Sequence, residues 1–181
     1  MVTFVLMNKK GHLNKNKPEM LRPVEAFFGT LNTVFQQESK SFYAFFLALT
    51  FFGIMGLIWM IPFPQFQFLV DLNMHTFLNW GSLFIAIVVY AYLKLAPTLS
   101  YAALFCISIM SFFIVQLEYI ERDGGLSVVL VCSILALFGL VGLFLLSKKE
   151  SNCQPKDFML LLSVGPIWLW SKVYDQFKIK Y

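Results

Sequence analysis

The sequence predicts an all-α membrane protein with four transmembrane helices, an N-terminal amphipathic helix and a short C-terminal interfacial or re-entrant helical segment. Three observations lead there. Four long stretches are nearly free of charge: Ser41–Ile61, Phe77–Leu93, Leu99–Leu117 and Leu126–Ser147. A bilayer's hydrocarbon core is about 30 Å thick, so a spanning helix needs roughly 20 apolar residues. Next, 59% of the 181 residues are hydrophobic, against about 45–50% in soluble domains. So small a chain cannot bury that excess in a core of its own, and lipid must solvate it. Finally, basic residues gather before the first stretch (Lys9, Lys10, Lys15, Lys17, Arg22, Lys40) and after the fourth (Lys148, Lys149, Lys156, Lys172, Lys178, Lys180), while the loop Glu118–Asp123 is net acidic. Lysine and arginine favour the cytoplasmic side of short loops. Four spans place both termini there, with Lys94 in the inner loop and Arg122 outside. A bacterial inner membrane and an endoplasmic-reticulum membrane both fit.

In chain order, residues 1–23 form a flexible basic cytoplasmic tail, and 24–181 form a single integral membrane domain. Met1–Met7 is apolar, but lysines follow it, the reverse of a signal peptide, so the first span acts as the insertion signal. Val24–Gln37 can place Val24, Phe27, Phe28, Leu31, Val34 and Phe35 on one helical face, suited to the cytoplasmic surface. The spans fall at about 41–61, 77–96, 99–118 and 126–147. Ser39 can cap the first, Trp59 anchors its far end, and Pro62 and Pro64 stop it. Phe63, Phe66, Phe68 and Leu69 sit in the outer interface. Trp80 opens the second span, and Tyr90 and Tyr92 close it. Pro97 and Gly124-Gly125 mark the next two turns. Gly53 and Gly56 in the first span, and Gly139 and Gly142 in the fourth, offer small-residue packing faces. The last apolar segment, about 158–173, is broken by Gly165-Pro166 and followed by Trp168 and Trp170. It is too short and interrupted to span, hence its interfacial or re-entrant assignment.

The net charge of +4 does not indicate nucleic-acid binding. The lysines flank spans and lack aromatic interleaving, although they would attract anionic headgroups. Cys106, Cys132 and Cys153 lack metal-site spacing and read as reduced thiols. Lys94 lies at a span end, and Glu118, Glu121, Arg122 and Asp123 lie outside. Proton-coupled transport needs ionisable groups within the membrane, so transport is disfavoured. His12 and His75 fall on opposite expected sides of the membrane and cannot share a metal. No nucleophile–base pair, phosphate-cradling loop or close carboxylate pair is evident inside the membrane.

Several runs resemble one family. These are Gly56-Leu-Ile-Trp59-Met-Ile-Pro62, Leu78-Asn79-Trp80, Tyr92-Leu-Lys94-Leu-Ala-Pro97, Pro155-Lys156-Asp157-Phe158, Gly165-Pro166-Ile-Trp168 and Ile179-Lys180-Tyr181. From about Thr33 to Tyr181 the chain is similar to the small membrane-embedded 2-hydroxy fatty acid dioxygenase-like family, known from a fungal endoplasmic-reticulum enzyme and many bacterial members. The resemblance implies iron-dependent removal of one carbon from 2-hydroxy fatty acids, with histidine ligands near the first span and after the fourth. Those histidines align with Val34, Tyr43 and Leu143, the last beside Gly142, and a following glutamate aligns with Leu146. Iron(II) needs imidazole or carboxylate ligands. The leading expectation is therefore a noncatalytic member with no metal or cofactor, which keeps a lipid or acyl-chain pocket between the spans and the C-terminal segment. Its partners would be membrane lipids and a fatty acid or acyl ligand. Asn79, Lys156 and Asp157 persist as polar positions, and Gly142 and Gly165 as packing positions. One alternative is an active iron-dependent dioxygenase with its ligands elsewhere. Another is an assembly protein, including a homo-oligomer, that uses the glycine faces as contacts.

Overall fold

The computed structural model describes residues 23–36, 39–64, 79–150 and 153–179. Those residues form six helices: α1 (Pro23–Val34), α2 (Lys40–Trp59), α3 (Trp80–Leu95), α4 (Pro97–Arg122), α5 (Val128–Lys149) and α6 (Pro155–Gln176). Helices α2, α4 and α5 are long and apolar enough to cross a membrane, with mean hydropathies of 2.0, 2.1 and 2.9. They mark an integral membrane protein. The expected second span is shorter. Helix α3 has 16 residues, about 24 Å at 1.5 Å per residue, and the expected residues 77 and 78 lie outside the described ones. Large apolar side chains face outward, among them Phe105 (65% exposed), Phe112 (60%) and Leu137 (64%). Water would penalise so continuous an apolar surface, whereas lipid does not.

Helices α2 to α5 run up and down. Ala96 alone separates α3 from α4, and Pro97 takes the first helical position of α4, where its missing N–H costs nothing. At the far end Gly124 has φ +87°, a conformation that favours glycine. There the Gly125 N–H donates to Ile120 O (2.8 Å), closing α4. Glu121 Oε2 then accepts from the Val128 N–H (3.0 Å), which ties the start of α5 to the end of α4.

The most extensive helix contact is between α2 and α5. A Cβ added at Gly53 would lie 2.5 Å from Ala136 N and 2.6 Å from Cys132 O, and one at Gly139 would lie 2.7 Å from Thr50 N. Gly56 abuts Cys132, and Gly142 abuts the Phe46 ring. The two glycine faces are therefore partners of each other inside one chain. Gly53 and Gly139 sit where backbone meets backbone, and Gly56 and Gly142 where a side chain of the other helix fills the space.

Helix α6 departs from the expected short, broken segment. It is one continuous helix of 22 residues with Pro166 inside it. Proline removes the bond to the carbonyl four residues back and crowds that turn. Just beside it, the Tyr92 hydroxyl donates to Ser163 O (2.9 Å), supplying a donor from α3. Helix α6 lies across the lysine-bearing end of the bundle. Phe158 meets Phe144 at the end of α5, Gly165 meets Leu47 of α2, and Trp168 meets Phe35 just after α1. Helix α1 packs on α6, burying Val24, Phe28 and Leu31. Phe27, expected on the same face, is exposed. The expected cap at Ser39 is present in position, but its side chain makes no capping bond.

Candidate functional site

Two features meet at the lysine-bearing end. The first is a cleft of about 420 Å³, within the usual size of small-molecule sites. Residues at helical spacing build its walls. Helix α2 gives Lys40, Ser41, Ala44, Leu47, Ala48 and Phe51, and α4 gives Ala103, Cys106, Ile107 and Met110. Helix α6 gives Pro166, Leu169, Trp170, Lys172, Val173 and Gln176, and α3 adds Tyr92. The polar members concentrate at the mouth: Lys40, Ser41, Lys172 and Gln176. The rest of the wall is mainly aliphatic and aromatic down to Phe51, which is about 16 Å along α2 from Lys40 at the helical rise.

The second feature is a buried polar cluster. Glu150 is 5% exposed. Its Oε1 accepts from the Tyr43 hydroxyl (3.0 Å) and its Oε2 accepts from the Gln36 N–H (3.2 Å). Lys40 Nζ donates to Phe35 O and lies 5.5 Å from the centre of the Trp168 ring. The Trp168 indole N–H in turn donates to Asn32 Oδ1 (2.9 Å). Burial of a carboxylate is costly unless it is hydrogen-bonded, and here groups from the α1–α2 connection and α2 meet that need. Sequence reasoning missed Glu150, which follows Lys148-Lys149 and resembles part of a solvated charge run.

The sequence-derived positions lie elsewhere. Asn79 caps α3, accepting from the Ser82 N–H at Oδ1 (2.7 Å) while its own N–H donates to Ser82 Oγ (3.1 Å). Asp157 is buried in the first turn of α6 and accepts from the Gln154 N–H (3.0 Å). Lys156 beside it is exposed. Gly142 and Gly165 are helix-contact positions against Phe46 and Leu47. None of these five lines the cleft.

The residues that the expected resemblance sets against iron ligands lie in the protein's core. Tyr43, Leu143 and Leu146 belong to one buried cluster, with Val34 packed against it. They do not fit an iron ion: three are aliphatic, and the Tyr43 hydroxyl is bonded to Glu150. Among the described residues no group of three His, Cys, Asp or Glu could hold a metal. His12 and His75 lie outside the described residues. Near the cluster, burial first and the Asp157 charge second push the Cys153 thiol up, which disfavours its nucleophilic thiolate form.

Comparison with protein-family models, curated proteins and solved structures gives no match to this chain.

Proposed function

We propose that this protein holds the acyl chain of a lipid in the cleft between α2, α4 and α6, with the ligand's anionic head at Lys40 and Lys172. The carrying observation is the cleft's polarity gradient: two lysines at the mouth, and apolar walls running about 16 Å inward at the helical rise. Two like charges at one opening repel, and an anionic group between them relieves that repulsion. In this reading the lysine-bearing end is cytoplasmic, α3 completes a fourth span, and α1 and α6 form a layer at the inner membrane surface. The protein would then be a noncatalytic relative of the dioxygenase-like family. Supporting this, the positions aligned with that family's iron ligands are here packed as core.

Trp170 lines the cleft and provides the test. Titrating a single-chain amphiphile brominated along its chain should quench tryptophan fluorescence saturably, and the quenched component should disappear in Trp170→Phe. Quenching that is not saturable, or that survives Trp170→Phe unchanged, contradicts the proposal.

A further inference from the structure

Glu150 does not line the cleft, yet one peptide unit joins it to the lysine that does. The Phe35–Gln36 peptide accepts from Lys40 Nζ at its oxygen and donates to Glu150 Oε2 at its N–H. The peptide dipole therefore points its positive end at the carboxylate and its negative end at the ammonium, favouring both charges together. Burial leaves Glu150 shielded from solvent, so its field reaches the mouth with less screening than a surface charge would have. Glu150 and Lys172 are the charges that act on Lys40. Of these three linked charges, Lys40 and Lys172 are positive and Glu150 is negative.

Resting on the reading that the cleft takes a charged amphiphile, we infer that Glu150 sets the head-group charge the site accepts, favouring single-chain amphiphiles with one negative charge over those with two. A monoanion balances the mouth. A dianion leaves an excess negative charge near a buried carboxylate, which is unfavourable in a low-dielectric setting. Glu150 is a positioning residue in this scheme: it acts through Lys40 and touches no ligand.

The test compares three amphiphiles of equal chain length in nanodiscs: an alkyl sulfate, an alkyl phosphate above its second ionisation, and a neutral alkyl glycerol. The wild-type chain should bind the sulfate more tightly than the phosphate by roughly three- to tenfold. In Glu150→Gln, which keeps an acceptor for Tyr43, that preference should vanish or invert while the neutral amphiphile binds as before. In Lys172→Gln the phosphate should lose more affinity than the sulfate. An unchanged sulfate-to-phosphate ratio in Glu150→Gln overturns the inference, and so does a parallel loss of all three ligands, which would mean that Glu150 only holds the fold. If the wild-type chain binds none of the three, the cleft reading itself fails.

Discussion

Helix α2 carries small residues on two faces, and the faces have opposite fates. Towards α5, Gly53 meets the backbone of Cys132 and Ala136, and Gly139 meets the backbone of Phe46 and Thr50, while Gly56 takes the Cys132 side chain and Gly142 the Phe46 ring. Towards α4 and α6, Ala44 and Ala48 share the wall of a cleft with Ile107, Met110, Leu169 and Trp170. Small residues that face each other let helix backbones approach closely. Where the partner is bulky, its side chain props the helices apart, and the small residue becomes the wall of a cavity.

The largest expected effect comes from filling the tight face. Gly139→Leu should cost about 3 kcal/mol, because the Thr50 hydroxyl and, behind it, the backbone at Thr50 and Phe46 block the new atoms. Ala48→Phe, on the open face of the same helix, should change stability by less than about 1 kcal/mol. Thermal unfolding of both variants in one detergent checks this, and equal losses would erase the distinction between the faces. Next comes Tyr43→Phe, which removes a donor from buried Glu150 and should cost about 1–3 kcal/mol. A smaller loss would mean that the polar cluster is less closed than its geometry implies.

The membrane class was legible in the sequence because span length and charge placement are local properties. So was the turn at Gly124-Gly125, where the chain needs a positive φ. The glycine faces were legible as faces, but their pairing depends on α2 and α5 running antiparallel in one register. The continuity of α6 was hidden because Gly165-Pro166 is a helix-breaking pair by local rules. A donor packed beside the break, Tyr92, lies 71 residues from its acceptor Ser163. Glu150 was hidden for the same reason: its partners Gln36 and Tyr43 are 114 and 107 residues away, and only tertiary packing turns a surface-like charge into a buried one. Asn79 and Asp157 stood out as polar positions, and each has a local hydrogen-bonding role at a helix start.

Two smaller effects sharpen the comparison. Asn79→Ala should cost about 1 kcal/mol through the lost cap and leave amphiphile binding unchanged, since the cap is remote from both faces of α2. Tyr92→Phe should cost about 0.5–1.5 kcal/mol, because it removes the donor beside Pro166. It should also raise hydrogen exchange in α6 around Ser163 without affecting the α2–α5 seam. Equal changes in both places would show that the cleft side and the seam are one cooperative unit.

The most direct test is native mass spectrometry of the wild-type chain and Ala48→Phe, each released from the same lipid nanodiscs. The wild-type protein should retain one acyl-chain ligand per chain. Ala48→Phe, folded to the same thermal stability, should retain none. Equal retention by both would contradict the assignment of the cleft as the binding site.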